Sequence, residues 1–380
     1  MIYFDNSATT VPDPEVIQTY NKVAKDFFGN PSSLHILGAE AENLFIRSRM
    51  QIADILQVKS NEIIFTSGGT EGNNLAIKGI ALKYQSRGKH IITTEVEHAS
   101  VYEACRSLEE LGFDITFLPV DDKGFVDPKK VEEAIRTDTI LISIMHVNNE
   151  LGSIQPIHEI GQIAKKHPKL FFHVDDVQGF SKVNLNVKEA QVDLCTYSAH
   201  KVNGLKGTGI LYVRENIKLY PLFHGGGQES QIRSGTENLP GAIALARAFR
   251  LAKEKERANL THLRELREAF AKELELIPGV VLNSPMKNVA PHIINISVPH
   301  TKPEVIIHTL GEQGIFISTK SACSSREEDE NRVLDACGHS KERAATALRI
   351  SLSYESTKSE IDEFIRVFTE VVKNLKRMLE

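Results

Sequence analysis

The sequence has no tryptophan, and its 380 residues include only four cysteines, none of them in a C-x-x-C pair. Four scattered cysteines in a chain this long exclude a disulfide framework and a cysteine-based zinc site, so we expect no metal centre and a reducing, cytoplasmic setting. No apolar run approaches the roughly 20 residues that span a bilayer. The first residues also lack the basic and apolar regions of a signal peptide. We therefore expect no membrane association.

An excess of positive charge is missing as well. The chain has 45 basic and 50 acidic residues, which give a formal net charge of -5. The net charge predicts no direct binding of nucleic acid, although a local basic patch would be compatible with it. The content of 41% hydrophobic and 25% charged residues is typical of a globular protein. The length favours two domains.

Short apolar runs alternate with helical patterns between about residues 60 and 215. The sequence predicts strands at 62–66, 90–94, 113–120, 139–147 and 170–175, with helices such as 102–111 and 157–166 between them. This alternation favours a mostly parallel sheet covered by helices on both faces. After about residue 240 the pattern changes, and a smaller α+β domain is predicted from helices at 242–276 and 303–312, a strand at 293–298 and a last helix from Glu360.

A glycine-rich turn, 66–72 (T-S-G-G-T-E-G), joins a predicted strand to a predicted helix. Glycines let the backbone approach a ligand closely, and a helix N-terminus presents N–H groups to a phosphate. An ordinary helix start explains the same residues. The spacing is that of neither the P-loop nor the dinucleotide-binding turn.

Two charged residues follow predicted strands further along the chain. Asp175 ends a strand at the edge where open α/β sheets bind ligands, and a carboxylate there favours a cationic partner such as a protonated pyridine nitrogen. The simpler alternative is an aspartate that caps a turn. Lys201 could form a Schiff base with a carbonyl cofactor, although most lysines are solvated surface residues. Together with the glycine-rich turn, the two residues predict a binding site for pyridoxal 5'-phosphate.

Short motifs along the whole chain resemble those of the class I cysteine desulfurases, which are pyridoxal-phosphate enzymes of fold-type I. The motifs are Phe4-Asp-Asn-Ser-Ala-Thr-Thr10, Phe28-Gly-Asn-Pro-Ser-Ser33, 66–70, Met145-His-Val-Asn-Asn-Glu150, His173-Val-Asp175, His200-Lys201, His224-Gly-Gly-Gly-Gln228, Arg233-Ser-Gly-Thr-Glu237 and Ser321-Ala-Cys323. The resemblance implies a large cofactor-binding domain, 14–256, with a mostly parallel seven-stranded α/β sheet. A smaller α+β domain, 1–13 and 257–380, would carry the catalytic cysteine loop. It also implies a homodimer with both active sites at the subunit interface.

The resemblance further implies a role for each matching residue. Lys201 would hold the cofactor covalently and move protons, Asp175 would pair with the pyridine nitrogen, and Gln178 would bind the phenolic oxygen. His98 would stack on the ring and take part in catalysis. The phosphate would be held by a set of small and polar residues: Gly69, Thr70, Ser198, His200 and Thr236 of the partner subunit. Two residues, Asn149 and Arg349, would bind the substrate carboxylate, a task that suits a guanidinium group.

The implied reaction converts L-cysteine to L-alanine and transfers the sulfur to Cys323 as a persulfide. An acceptor protein of iron–sulfur cluster assembly or of tRNA or cofactor thiolation would then receive it. A thiolate is required because the neutral thiol is a poor nucleophile. Cys323 lies in a polar stretch, 318–326, which predicts an exposed loop. Cys195 and Cys105 are predicted to be core residues, and Cys337 lies at a helix end, where a second redox role is the less favoured alternative.

The sequence departs from the family pattern at a few positions. Asp176 stands where relatives usually have a small residue, and strand alternation should point it away from the cofactor, so we expect a structural role. Leu205 replaces a usual proline, which predicts a looser loop. Lys320 replaces a usual glycine and could lower the pKa of the Cys323 thiol, although a solvated loop lysine is the favoured explanation. The acidic run 327–330 favours a solvated loop, with the steering of a basic acceptor protein as the alternative. These departures favour a dedicated partner such as a tRNA-thiolation enzyme.

Two other classes of function stay open at this point. An aminotransferase or a selenocysteine lyase would share the fold but would not need the loop around Cys323. A scaffold that binds the cofactor without catalysis is disfavoured because Lys201, Asp175, His98 and Arg349 occur together with that cysteine.

Overall fold

The computed structural model describes residues 1–319 and 331–379. The strands are β1 Ile2–Tyr3, β2 Ile63–Thr66, β3 His90–Thr94, β4 Asp114–Leu118, β5 Thr139–Met145, β6 Phe171–Asp175, β7 Leu194–Ser198, β8 Gly209–Val213, β9 Val281–Leu282, β10 Ile293–Ser297, β11 Ile315–Phe316 and β12 Ala347–Ser351. The helices are α1 Pro14–Asp26, α2 Ile36–Leu56, α3 Gly69–Tyr84, α4 Ala99–Glu109, α5 Pro128–Ala134, α6 Ile157–Lys165, α7 Leu239–Glu275, α8 Pro303–Glu312, α9 Arg332–Ala336, α10 Lys341–Ala345 and α11 Lys358–Leu379.

The larger sheet has seven strands in the order β2-β8-β7-β6-β5-β3-β4. Strand β8 runs antiparallel to both of its neighbours, and the other paired strands are parallel. The sequence-based expectation of a mostly parallel seven-stranded sheet is therefore confirmed. The parallel pairing brings the carboxyl ends of β5, β6 and β7 together at one edge, where Met145 lies opposite Asp175 and Asp175 lies opposite Thr196.

Helices cover both faces of this sheet because successive strand residues point to opposite sides. In β5, Leu141 packs in one apolar cluster with residues of α3 and α4. Its neighbour Ile142 packs in another cluster with residues of α2, α5, α6 and the first half of α7. Every residue of β5 is buried, as expected for a parallel sheet with no solvent-exposed face.

A smaller antiparallel sheet has the strand order β12-β10-β9, and β1 pairs separately with β11. The apolar face of the three-stranded sheet packs against α7, α8 and α11 in a cluster that includes Phe4, Phe270 and Phe364. Helix α7 is 37 residues long and contributes to both cores. Phe249 in its first half packs against the larger sheet, whereas Phe270 in its second half packs against the smaller one.

No described helix is both long and apolar enough to cross a membrane. Nor do the described histidines, cysteines, aspartates and glutamates form any group of three that could hold a metal ion.

Candidate active site

A cavity of about 140 Å³ lies at the edge where β5, β6 and β7 end. Of the predicted site residues that the structure describes, all except Thr236 line it. The complete lining is Ser7, Ala8, Gly69, Thr70, Asn73, His98, Ser100, Met145, Val147, Asn149, Asp175, Val177, Gln178, Ser198, His200, Lys201 and Arg349. The sequence motifs, which are far apart along the chain, therefore meet in one place.

One end of the cavity is formed by the start of α3. Gly68 caps this helix with a φ of +150°, a conformation that other residues rarely adopt. A Cβ on Gly69 would lie 2.9 Å from the Val177 Cγ2 atom, which also lines the cavity. A glycine therefore lets the backbone of α3 pack closely against this part of the cavity wall. The first turn of a helix leaves N–H groups without helical partners. Beside it, the buried Ser198 hydroxyl has no hydrogen-bond partner among the described residues. This end is suited to an anion.

The Asp175 carboxylate lies at the end of β6 and is 6% exposed. Its Oδ2 atom accepts a hydrogen bond from the Asn73 side-chain amide at 2.7 Å. Its Oδ1 atom accepts one from the backbone N–H of Val177 at 3.0 Å. Both of these donors are neutral, and a buried carboxylate is more stable next to a cation. The site therefore favours a positively charged group at Asp175.

Lys201 follows β7 in a short 3-10 turn, Ala199–Lys201. Its Nζ atom donates to the backbone carbonyl of Ala8 at 2.8 Å and to that of Ser7. The Ser7 carbonyl also accepts a hydrogen bond from Gln178 Nε2 at 2.9 Å. The N-terminal segment thus forms part of the cavity wall and holds the amine of Lys201 close to the side chain of Gln178.

Two histidines in the cavity wall are neutral at neutral pH. His98 precedes α4 as its N-cap, and its Nδ1 atom lies 3.1 Å from the backbone N–H of Ser100 and 2.8 Å from the hydroxyl of Ser100. Burial lowers the pKa of His98, and the nearby Asp175 charge offsets only part of that effect. Burial, assisted by the charge of Lys201, lowers the pKa of His200 to about 4.

Arg349 enters the cavity from β12 and is only 1% exposed. Its guanidinium donates to the backbone carbonyl of Asn149 at 3.0 Å and to the Asp5 carboxylate at 3.3 Å. Its buried Nε atom has no hydrogen-bond partner among the described residues. The guanidinium is therefore held in a fixed position and keeps one donor for a carboxylate.

Thr236 and Cys323 are the two predicted residues that the structure does not place in this cavity. Thr236 is exposed and lines a different cavity, together with Glu229 and Arg233. Cys323 lies outside the described residues, as do Lys320 and the acidic run 327–330.

The chain on both sides of 320–330 is attached to the cavity wall. Ser318 exchanges two backbone hydrogen bonds with Arg349, at 3.1 Å and 2.7 Å. Arg332 donates to the backbone carbonyls of Glu95 and Glu97, beside His98, and lies 4.1 Å from the centre of the Tyr102 ring.

The sequence-based expectations for the other cysteines and for Asp176 can also be compared with the structure. Cys105 and Cys195 are fully buried, which confirms them as core residues, and burial raises the pKa of both thiols. Burial raises the pKa of Cys337 to about 12. Asp176 lies 2.6 Å from His146 Nδ1 and lines a different cavity, so it points away from Asp175 as alternation predicts.

Asn73, Ser100 and Ser7 are site residues that the sequence did not single out. Asn73 lies four residues after Gly69, so both face the same side of α3, and this spacing could have identified it. Ser100 lies two residues after His98, in the first turn of α4. Nothing local marks Ser7, because its contribution is a backbone carbonyl.

Comparison with known proteins gives consistent relatives. Residues 2–364 match the family model described as aminotransferase class-V. A NifS/IcsS protein homolog from Lactobacillus delbrueckii subsp. bulgaricus is 46% identical, covering 100% of this chain and 99% of that protein. The cysteine desulfurase IscS of Dictyoglomus turgidum is 45% identical, covering 99% of this chain and 95% of that protein.

Solved structures agree with these relatives. A NifS-like protein superposes with a TM-score of 0.92 at 36% identity, covering 98% of this chain and 99% of that one. A structure of SspA in complex with cysteine superposes with a TM-score of 0.80 at 36% identity, covering 94% of this chain and 100% of that one.

Proposed function

Because this chain belongs to the class-V aminotransferase family and, within it, to the cysteine desulfurases, we propose that it removes sulfur from L-cysteine and leaves L-alanine, with pyridoxal 5'-phosphate as its cofactor. The observation that carries the proposal is the meeting of three groups in one cavity. These are the amine of Lys201, the buried carboxylate of Asp175, and the anion-binding end at Gly69 and Ser198.

The residues of the cavity fit each part of this cofactor. The Lys201 amine suits its aldehyde, Asp175 suits the ring nitrogen, and Gln178 suits the phenolic oxygen. The phosphate would be held by Gly69, Thr70, Ser198 and His200. The Ser198 hydroxyl has no hydrogen-bond partner among the described residues, and the first turn of α3 presents backbone N–H groups, so both could donate to phosphate oxygens. When bound, the pyridine ring withdraws electrons from the bonds around the substrate's α-carbon.

The remaining steps are performed by the chain's own residues. Arg349 and Asn149 would bind the carboxylate of L-cysteine, which places its α-carbon near the amine of Lys201. Lys201 would accept a proton there and return one later. The Cys323 thiolate would then attack the substrate sulfur. A sulfur–sulfur bond forms and the carbon–sulfur bond breaks, so the carbon keeps the electron pair and takes up a proton. The products are L-alanine and a persulfide on Cys323.

The central experiment measures both products with a cysteine control. The purified protein should absorb visible light as a pyridoxal-phosphate enzyme does, and it should produce alanine and sulfide from L-cysteine and a reductant. Cys323→Ala should keep the absorption and release no sulfide, whereas Cys337→Ala, which changes a buried thiol, should behave like the wild type. If the wild type binds the cofactor but leaves L-cysteine intact, the proposal is wrong, and an aminotransferase or a selenocysteine lyase becomes the better reading.

We also propose a homodimer in which Thr236 completes the phosphate site of the partner subunit. Thr236 does not line the cavity of its own chain. Exposed apolar side chains lie on α2 and on the loop before it: Phe28, Leu34, Ile36, Ile46 and Met50. Ile46 and Met50 are four residues apart and share one face of the helix. A second copy of the chain would cover this surface.

Light scattering in solution tests the dimer. The wild type should have twice the mass of the chain. Replacing both Ile46 and Met50 by glutamate should give the monomer mass, while Leu276→Glu, at an exposed site elsewhere, should leave the dimer intact. Equal masses for the two variants would contradict the proposed interface.

Three further expectations remain proposals. We divide the chain into a large domain, 14–256, and a small domain, 1–13 and 257–380, a division supported by the two cores that share α7. We place the protein in the cytoplasm, where its thiols would stay reduced.

We propose a dedicated acceptor protein for the sulfur, such as a tRNA-thiolation enzyme. Transfer of labelled persulfide to a panel of acceptors tests this last point, and equal transfer to all of them would contradict it.

A further inference from the structure

A chain of hydrogen bonds beneath the cavity links Asp175 to His98. The Asn73 amide nitrogen lies 2.7 Å from Asp175 Oδ2 and 2.8 Å from the Ser100 hydroxyl. The Ser100 hydroxyl lies 2.8 Å from His98 Nδ1. Asn73 is 1% exposed and Ser100 is 8% exposed, so water competes little for these groups. None of these contacts involves a residue outside the described part of the chain.

The direction of each hydrogen bond follows from which groups can donate. The ionised Asp175 carboxylate only accepts, so the Asn73 amide must turn its NH2 group towards it. The second hydrogen of that NH2 group points to the Ser100 oxygen, which therefore accepts. The single hydrogen of the Ser100 hydroxyl is then left for His98 Nδ1.

A second donor reaches the same nitrogen of His98. The backbone N–H of Ser100 can only donate, and it lies 3.1 Å from His98 Nδ1 as part of the α4 cap. With two donors directed at it, Nδ1 must be unprotonated, and the proton of the neutral ring sits on Nε2. Protonating Nδ1 would set its N–H against the N–H of Ser100, which would break the helix cap.

We propose that Asn73 is a positioning residue: by joining the Asp175 carboxylate to the Ser100 hydroxyl, it holds His98 as the neutral tautomer with its proton on Nε2. This inference rests on the proposed function for its relevance to catalysis, since Asp175 and His98 are assigned there to the cofactor ring. His98 then offers the cavity its ring face and an Nε2–H donor. It does not act as a base through Nδ1, and the moving proton is left to Lys201.

The adjacent residue Asn74 provides a matched control. It lies on the same helix, is half-buried, and donates a hydrogen bond to the backbone carbonyl of Thr70 at 3.0 Å. Asn73→Ala removes the link between Asp175 and Ser100, whereas Asn74→Ala removes an amide of equal size that touches neither. A general loss of helix stability would affect both variants, but a change at His98 should follow only the first.

The test follows the His98 ring nitrogens by NMR in protein labelled with 15N-histidine, with and without pyridoxal phosphate. The signal is assigned by its loss in His98→Gln. The wild type should show the Nε2–H tautomer. Asn73→Ala should raise the pKa of His98 by about one unit, a tenfold change in its protonation, because the Ser100 hydroxyl is no longer oriented. The acid limb of the kcat/KM profile for L-cysteine should move by the same amount. Asn74→Ala should change neither.

If Asn73→Ala does not fold, Ser100→Ala makes the same test, because it removes the hydroxyl and keeps the backbone cap. It should also raise the pKa of His98. A wild-type proton on Nδ1, or equal pKa values in Asn73→Ala and Asn74→Ala, would overturn the inference. The NMR result is independent of turnover: a protein that leaves L-cysteine intact but shows the expected tautomer contradicts the proposed function and not the role of Asn73.

Discussion

The seven-stranded and the three-stranded sheet present polar groups to the cavity in different ways. Strand β5 of the larger sheet is buried along its whole length, because helices cover both faces. Only strand ends are left for chemistry, and Asp175 and Ser198 lie at such ends. Strand β12 of the smaller sheet has one apolar face, where Leu348 and Ile350 enter the core, while the intervening Arg349 points towards the cavity. A parallel sheet thus offers its edge, and an antiparallel sheet offers one face.

This difference separates catalysis from stability. The edge of the larger sheet gathers buried polar groups, such as Asp175 and Asn73, that hydrogen-bond to one another beside the cavity. The apolar face of the smaller sheet supplies packing, with the Phe364 ring 5.9 Å from that of Phe4 and 5.2 Å from that of Phe270. Substitutions at the edge should therefore change the reaction, and substitutions on the apolar face should change the free energy of unfolding.

The largest expected effect is at the edge. Lys201→Ala should lower kcat/KM for L-cysteine by at least about 10⁴-fold, or about 5 kcal/mol, because the chain loses both its covalent attachment to the cofactor and its proton carrier. Steady-state kinetics and visible absorption measure this loss. The melting temperature should change little, since Lys201 lies in the cavity wall, where it donates to the backbone carbonyls of Ser7 and Ala8.

Lys206→Ala is the control for that comparison, because Lys206 is exposed and lies only five residues away. It should keep the activity of the wild type. If both lysine variants lose activity alike, the effect belongs to the loop and not to the amine of Lys201.

The next effect belongs to the apolar face. Phe364→Ala should lower the free energy of unfolding by about 3–5 kcal/mol, since the ring is fully buried and its removal leaves a cavity. Denaturant unfolding measures the loss. At temperatures where the variant is folded, KM and the cofactor absorption should be those of the wild type.

Phe316→Ala, at a side chain that is 41% exposed, should cost much less. A Phe364→Ala variant with normal stability but altered KM would contradict the separation of the two regions.

The sequence alone predicts that the larger sheet exists and is mostly parallel, but it predicts the ends and the pairing of individual strands less well. Strand β3 and helix α8 occur where they are predicted, because a short apolar run and a Pro at the first helical turn are local signals. The predicted strand 139–147 ends earlier, at Met145, where the chain turns into the cavity wall. No strand is predicted at β8 or β12, although β8 is a short apolar run, as β3 is. The local sequence does not contain the antiparallel pairing of β8 with two distant strands or the pairing of β12 with β10.

The candidate site is likewise predicted only in part, because some of its residues are defined by contacts between distant segments. Residues that act through their own side chains, such as Lys201 and Asp175, stand in recognisable motifs. Residues that act through a backbone atom or through another side chain, such as Ser7 and Asn73, do not. Their roles depend on distances between segments far apart in sequence, which only the fold provides.

A pH-dependent effect is expected where a carboxyl group is buried beside the cavity. Burial raises the pKa of Glu97 to about 8, although Oε1 accepts hydrogen bonds from Thr94 and from the Met145 N–H. The folded state then binds a proton that the unfolded state releases above about pH 4.5, so stability should fall as pH rises from about 5 to 8. Glu97→Gln, neutral at every pH, should remove that fall, which is on the order of 3–4 kcal/mol for one proton over about three pH units.

Denaturant unfolding at pH 5 and pH 8 measures this difference, and Glu110→Gln, at an exposed carboxylate, is the control. The expected result is a gap between Glu97→Gln and the wild type that widens with pH. A constant gap would mean that Glu97 is ionised throughout.

The smallest expected effect on activity tests the alternation of adjacent residues at the end of β6. Asp175→Asn should weaken catalysis strongly, because it removes the charge that faces the cavity. Asp176→Asn keeps the side-chain shape but points the other way, towards His146, so turnover and cofactor absorption should stay within about twofold of the wild type. Its cost should appear instead as about 1–3 kcal/mol of lost stability, because an amide is a weaker hydrogen-bond partner than a carboxyl group for the buried His146. If Asp176→Asn altered the absorption as strongly as Asp175→Asn, the chemistry would extend through the sheet edge to its far side, and the edge could no longer be treated as having one catalytic face.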